Sequence, residues 1–368
     1  MNKYIIVFGI LIVGIHSYSQ NNDASPLKSI EISATGDTIT NYYYEAFDFG
    51  KIYTGKPDTT STEAVRSEGV FSSQSVSTAQ AANINTNKAV GKILFSEGIS
   101  PSGGKTYSIP IQIAPVVSSE PQIAIVYNSQ SGNGIAGYGW NIVGSSAITV
   151  GNKNTYYDNE VLSVNLDDPL SNALFLDGTR LVDYVSRTSY HYESAQGFSL
   201  VKRNMSGNNI AYFTVKYTNG STATFGFTNN TQNKLIYPIT SLVDIKGYRI
   251  DFEYIASGNN YYISSIKYGS KSQTSHPAHI SFIYADRTDV VSAYNAGLEL
   301  KAEKLLTKIV SYNNNSELRS YSLKHNLKDG VNLLTQLDCS VGTSSLNPLT
   351  FDYGSEYESE KGYFVNDG

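Results

Sequence analysis

The sequence predicts an all-β, mainly antiparallel protein, and three observations carry that prediction. Composition is the first: 29 Tyr and 14 Phe stand among abundant Ser, Thr and Asn in 368 residues, and Glu/Lys/Leu/Ala tracts of helical type are scarce. Tyr, Thr, Ile and Val suit a pleated, half-buried surface. The second is period-two alternation of apolar and polar residues, which recurs after about Lys92. The third is turn chemistry, such as Asn219-Gly220, between alternating runs. Charge excludes one class of partner. With 27 basic and 32 acidic residues, a net charge of −5 and no basic block, nucleic acid is not expected.

The N-terminus reads as an export signal over residues 1–19. Lys3 provides the positive start, Tyr4 to Ile15 the apolar core, and Ser17-Tyr18-Ser19 the small-x-small cleavage site before Gln20. The alternative is a retained anchor, but the apolar run is short for a membrane span, and no later segment is long enough. The expected location is therefore secreted, or extracellular. Cys339 is the single cysteine. It leaves no lipobox cysteine near the cleavage site and permits no intramolecular disulfide.

Residues 20–92 are expected to form a low-complexity, largely disordered leader. Pro57 to Asn87 is rich in Ser, Thr, Ala and Asn, with too little apolar surface to offset ordering entropy. Within the leader, Thr35 to Tyr53 has the composition for one or two strands. A β-rich domain follows over residues 93–354. In "TYSIPIQI" the residues Tyr107, Ile109, Ile111 and Ile113 fall on one face, and Pro110 points to an edge position. Phe213, Val215 and Tyr217 alternate before Asn219-Gly220, and Ala223, Phe225 and Phe227 after it, which predicts a hairpin. Tyr248, Ile250, Phe252 and Tyr254 are expected inward, as are Ile280, Phe282 and Tyr284. Ala293 to Val310 is read as a possible helix whose second half also fits a strand. "VDIKGYRIDFEY", "ISSIKYG" and "LTFDYG" are degenerate copies of a Tyr-Asp-type unit too small to bury its own apolar face, so neighbours must pair into one sheet.

One motif points elsewhere. Gly132, Gly134 and Gly137 spell G-x-G-x-x-G after the strand-like "QIAIVY". A dinucleotide turn needs a helix opening at the last glycine and an acidic residue about 20 positions on. The following "YGWNIVGSSAITVG" has poor helix propensity, and Asp158 sits in a polar loop. The glycines are therefore expected to serve a tight strand-to-strand connection, with Trp140 anchoring the return. No cofactor is expected. His276-Pro-Ala-His279 has metal-compatible spacing but a loop-like setting. Glu356 and Glu358 form an E-x-E pair with no fold around it, and no G-x-S-x-G or H-E-x-x-H occurs. "NLDDPLS" and "FLDGTRLV" read as acidic turns rather than calcium loops. An enzyme would need His191 or His325 to meet a nucleophile or carboxylate in a pocket; no catalytic or metal residue is assigned.

These residues together carry a resemblance. "TYSIPIQIAP" and "EPQIAIVYNSQSGNGIAGYGWNIVGSSAIT", between Thr106 and Thr149, resemble the start of the Salmonella virulence plasmid B protein family. That family includes the B components of insecticidal toxin complexes and is related to the Rhs/YD-repeat proteins. The positions that carry the signature are Tyr107, Ile109, Pro110, Tyr127, Asn128, Ser129, Gly132, Gly134, Gly137, Gly139 and Trp140. Asp177 and Gly178, then Tyr284, Arg287 and Asp289, then Phe351 and Tyr353 continue it in order, covering roughly Gly91 to Gly354. The resemblance implies a curved β-sheet shell segment. In toxin complexes such a component and a YD-repeat C component form a hollow cocoon around a cytotoxic C-terminal region. The virulence-plasmid relative carries its own ADP-ribosyltransferase domain, which is not recognised here, and relatives act in the host cytoplasm. Residues 355–368 read as a truncated linker towards an absent downstream module. The expected function is thus a non-catalytic shell module, partnered by a YD-repeat protein or a missing downstream half. The alternative is a secreted adhesion or glycan-binding module, since Tyr-rich faces can bind sugars, although cross-strand pairing accounts for the same tyrosines.

Overall fold

The structure, a computed structural model, describes residues 28–32, 38–42, 85–185, 189–192, 200–226 and 234–353. The expected signal peptide, most of the leader, Phe227, Glu356, Glu358 and residues 355–368 lie outside them. The chain divides into two units. The smaller contains one antiparallel hairpin, β1 (Lys28–Ile32) with β2 (Thr38–Tyr42), so Thr35 to Tyr53 does supply a strand. The larger unit contains everything described below. It takes in residues from Lys88 onward: the Ala89 N–H donates to the Ser345 carbonyl at 3.0 Å, and Ile93 is buried.

Two antiparallel sheets build the larger unit. The small sheet comprises β3 (Ser96–Ile99), β4 (Lys105–Pro110), β5 (Ala124–Asn128), β6 (Asn133–Gly134), β7 (Gly137–Tyr138) and β8 (Trp140–Val143), in the order β3-β4-β5-β8-β7-β6. Pro110 lies past the reach of β3, which pairs only as far as Ser108, so the missing N–H falls where no strand needs it. The large sheet has 16 strands. Its first part is β9 (Ala147–Gly151), β10 (Ala173–Leu176), β11 (Thr179–Val185), β12 (Ser189–Tyr192), β13 (Leu200–Ser206), β14 (Asn209–Lys216), β15 (Thr222–Phe225) and β16 (Ile236–Val243). Each pairs with the next, and β16 pairs with both β15 and β9, so these eight strands close into a ring. Closure removes the free edges that such short strands would otherwise expose. Its interior is mainly apolar, with Ile148, Leu174, Leu176, Leu181, Val201, Phe213, Val215, Ala223 and Phe225 all buried, and it also takes in Arg203, buried opposite Phe213.

The second part is a meander of β17 (Arg249–Ser257), β18 (Asn260–Ser270), β19 (Ala278–Asn295), β20 (Leu298–Asn313), β21 (Ser316–Lys328) and β22 (Val331–Val341). Two short strands, β23 (Ser344–Ser345) and β24 (Leu349–Thr350), pair with β22. The expected inward residues Ile250, Phe252, Ile280 and Phe282 are buried, as the continuous Tyr-Asp-type sheet requires. Asn219-Gly220 does mark a hairpin, between β14 and β15, but in a longer loop: the Tyr217 N–H donates to the Ser221 carbonyl, and the Asn219 side chain accepts from the Ser221 N–H.

Two expectations need correction. Ala293 to Val310 is not helical. It is the end of β19 and most of β20, joined at Ala296-Gly297, both of positive φ (49° and 79°), which is the backbone of a two-residue hairpin turn. Strand pairing on both sides of β20 outweighs the local helix formers. The loop holding Asp158 contains one helical turn, α1 (Thr155–Asp158), capped by the Asn154 side chain on the Tyr157 N–H. Asp158 pairs with Arg180 at 2.6 Å.

The docked glycine hairpin as candidate functional site

The G-x-G-x-x-G segment forms a tight hairpin rather than a nucleotide turn. Asn133 pairs with Tyr138 and Gly134 with Gly137, leaving Ile135-Ala136 as the tip. The strand β8 follows where a dinucleotide site requires a helix. The glycines have steric reasons instead. A Cβ on Gly134 would sit inside the van der Waals radius of the Trp140 carbonyl oxygen; Gly137 has φ +120° and a Cβ there would approach the Asn332 carbonyl to 3.0 Å. The turn before the hairpin is built from Asn128 and Ser129. The Asn128 side chain accepts from the Gln130 N–H (2.9 Å), the Ser129 hydroxyl from the Lys105 N–H (2.9 Å), and the Gly132 carbonyl from the Gly139 N–H (2.9 Å).

The tip is apolar and buried, because it docks on the large sheet. Three successive carbonyls are captured there. Gly134 accepts from Arg287 Nη1 at 2.8 Å, Ile135 from the Leu306 N–H at 2.8 Å, and Ala136 from His325 Nε2 at 2.9 Å. Burial lowers the His325 pKa, and the neighbouring Arg287 charge adds to this against the Ala136 carbonyl, so the ring is neutral and donates from Nε2.

Arg287 reaches the hairpin because β19 bulges. The register steps from Asp286–Lys304 to Val291–Ala302, so four residues of β19, 287–290, stand opposite the single residue Glu303. The bulge turns Arg287 and Asp289 inward, where their side chains are 1% and 2% exposed and pair at 2.7 Å. The Asn332 backbone N–H donates to Asp289 at 2.9 Å and its side-chain amide donates to the same carboxylate. Burial alone would push the Asp289 carboxyl up. The Arg287 and Asn332 donors outweigh it and hold the pKa below the usual carboxylate value.

Beside this polar lock lies an aromatic one. Trp140 is 1% exposed and meets Phe351 at 4.6 Å, Tyr127 at 5.0 Å and Tyr107, nearly parallel, at 6.5 Å between ring centroids. Its Nε1–H donates to the Tyr353 hydroxyl (2.7 Å), which donates to the Leu334 carbonyl (2.8 Å). Burial pushes the Tyr353 hydroxyl up to about 12, so it remains a neutral donor.

The fold thus brings most of the sequence-singled residues to one place. Tyr107, Tyr127, Asn128, Ser129, Gly132, Gly134, Gly137, Gly139, Trp140, Arg287, Asp289, Phe351 and Tyr353 build the joint between the sheets, and Ile109 is buried in the core beneath it. Asp177 and Gly178 serve another joint. They turn β10 into β11, and the Asp177 carboxylate accepts from the Ser146 hydroxyl (2.6 Å) and the Ala147 N–H (3.0 Å), where the chain passes from β8 to β9. Tyr284 belongs to neither; its hydroxyl donates to the Ile263 carbonyl at 2.7 Å. Asn332, Leu306 and the hairpin tip went unread in the sequence because nothing in their local pattern marks them. His325 was visible only as a catalytic candidate. His276 and His279 take separate partners: His276 lies 3.0 Å from Asp251, and His279 stacks on Tyr312. Among the described residues no His/Cys/Asp/Glu group could hold a metal, and no helix is long and apolar enough to cross a membrane.

Comparison with known proteins agrees with this geometry. Residues 99–254 match the family model described as Salmonella virulence plasmid 65kDa B protein. No curated protein matches the chain. Among solved structures, the N-terminal domain of the effector SpvB from Salmonella typhimurium strain LT2 aligns at 16% identity and TM-score 0.52, over 67% of this chain and 98% of that one. The TcdB2–TccC3 structure aligns at 15% identity and TM-score 0.59, over 74% of this chain and 17% of that one. The Tc holotoxin pore of Photorhabdus luminescens gives 15%, a TM-score of 0.58, and 76% and 17% coverage. The chain therefore spans about 17% of those Tc chains. The matched segment runs from the end of β3 into β17, so residues 99–254 are similar to the Salmonella virulence plasmid B protein family, and the β fold is shared with these effector and toxin structures over 67–76% of the chain.

Proposed function

We propose that this chain is a non-catalytic shell module of an exported, toxin-like protein, whose sheets enclose or present an effector carried by another part of the assembly. The observation that carries this reading is the engagement of the candidate site's polar groups. Arg287, Asp289, His325, Asn332 and Tyr353 all hold backbone or each other, and what they hold is the small sheet on the large one. A joint of this kind makes a rigid wall rather than a reaction centre. Residues 1–19 act as the export signal, 20–92 as a leader, 93–354 as the wall, and 355–368 as a link towards a further module. The partner is a YD-repeat polypeptide of the toxin-complex C type, completing the enclosure by strand pairing.

The test is co-expression of the full chain with such a YD-repeat protein carrying its own C-terminal region. The two are expected to co-elute, and the C-terminal region to resist protease only when both are present. A chain that stays monomeric beside the YD-repeat protein and binds glycans on an array would replace this reading with the adhesion module. Export is checked by N-terminal sequencing of protein recovered outside the cytoplasm, where Gln20 is the expected first residue.

A further inference from the structure

Three carbonyls of the glycine hairpin are held by three donors of different kinds. The Leu306 N–H is backbone, and the Arg287 guanidinium keeps its charge at any pH the chain meets. His325 is the exception, because an imidazole gains a proton within the physiological range. It continues the inward row of Tyr321 and Leu323 on β21, with Leu334 of β22 opposite. Its ring lies against the hairpin backbone: a Cβ on Gly137 would stand 3.4 Å from His325 Cδ2.

The neutral ring already donates from Nε2 to the Ala136 carbonyl, so an added proton goes to Nδ1. Among the described residues Ala136 is the ring's one hydrogen-bond partner, and the new N–H gains no acceptor from them. The charged groups that act on the ring both lie on β19. Arg287 opposes the proton and Asp289 favours it, but Asp289 is already engaged by Arg287 and both Asn332 donors. The other neighbours add no charge. The hairpin presents a carbonyl, β22 presents Leu334, and Tyr353 on the Leu334 carbonyl stays neutral. On β21 itself, Lys324 turns to Asp338 at 2.8 Å. An imidazolium in the closed joint is therefore an extra positive charge beside Arg287. Undocking the hairpin opens the ring to water and removes that cost.

We propose that the joint is an acid-sensitive latch: protonation of His325 loosens residues 133–138 from the large sheet and exposes the apolar Ile135-Ala136 tip. Burial and Arg287 make the docked ring the weaker base, so the undocked state binds the extra proton. Docking is therefore full above about pH 6.5 and weakens as pH falls below it, by at most about tenfold per pH unit. The latch belongs to the joint between the sheets and does not depend on the shell reading.

Amide hydrogen exchange of the full chain, corrected for the intrinsic pH dependence of exchange, reads the latch. The Leu306 N–H crosses the joint, and the Gly226 N–H, held by the Pro238 carbonyl in the ring of strands, is the reference. All chains carry Asp177→Asn, because the Asp177 carboxyl takes up a proton in the same window. Between pH 7 and pH 5 the opening read at Leu306 is expected to rise at least about fivefold, and that at Gly226 to stay constant. His325→Gln retains an N–H for the Ala136 carbonyl and cannot be charged, so its Leu306 opening is expected to stay flat. An equal rise in His325→Gln, or none in the parent chain, overturns the latch. If His325→Gln does not fold, NMR titration of the His325 ring in the parent chain takes its place. The latch requires that ring to titrate below about 6.5 with Leu306 opening as it does so; a ring that titrates at or above 6.5 overturns it.

Discussion

Replacement of Arg287 by Met tests whether the bulge and the glycine hairpin form one structural unit. The substitution keeps the volume of the stem but removes three interactions: the 2.7 Å pair with Asp289, its second weaker contact, and the 2.8 Å donation to the Gly134 carbonyl. Asp289 then stays buried with only the Asn332 donors. Removing one partner of a buried pair costs about 3–5 kcal/mol, and an orphaned buried carbonyl about 1–3 kcal/mol. The two share a site and do not add fully, so a loss of about 4–6 kcal/mol is expected. The double variant Arg287→Met/Asp289→Leu removes the uncompensated charge and is expected to recover about 2–3 kcal/mol of that loss. Urea unfolding of the full chain reads this directly, since Trp140 is the only tryptophan and lies in the same joint. A burial this complete also predicts that raising salt changes the single-variant cost little. If Arg287→Met costs under about 1 kcal/mol, or the double variant is no more stable than the single, the lock is not what joins the sheets.

Other outcomes follow from the same geometry. Gly134→Ala, whose methyl would meet the Trp140 carbonyl, is expected to cost about 3 kcal/mol or more in the same assay, whereas Gly132→Ala, with open space and no positive φ, costs under about 1 kcal/mol. Trp140→Ala should lose about 3–5 kcal/mol by circular dichroism, and Tyr353→Phe about 1–3 kcal/mol, because it cuts the relay from Trp140 to Leu334. Burial pushes the Asp177 carboxyl up to about 6 against the pull of Ser146 and the Ala147 N–H. The folded state therefore binds the extra proton between about pH 4 and 6, and this group's contribution to stability falls by roughly 3 kcal/mol as pH rises through that window. Asp177→Asn, which tolerates the φ of 50°, should remove this slope and match or exceed the wild type at pH 7; an unchanged difference between the two proteins across pH 4–6 would refute the assignment.

Much of the fold was legible because period two is a local property. Ile250 and Phe252 in β17, or Phe213 and Val215 in β14, declare their buried face through alternation alone. The same locality misled at Ala293 to Val310, where the decisive force is pairing of β20 with strands on both sides. Most of the candidate site was legible as a roll of residues, but not as a place. Gly134 and Arg287 are separated by 153 residues and meet only because β19 bulges at one point.

What the sequence determined by itself is the strand alphabet: alternating runs, turn residues, and glycines that exclude a helix after Gly137. Those choices depend on φ/ψ preference and side-chain period, which each short segment carries within itself. Only the tertiary structure decided that β9 to β16 close into a ring, and that Ile135-Ala136 is a buried tip rather than a loop in water. It also decided that Arg287 meets the Gly134 carbonyl and Asp289 the Asn332 N–H. Ring closure and docking are set by contacts between residues far apart in the chain, and their energy exists only once both sheets are in place.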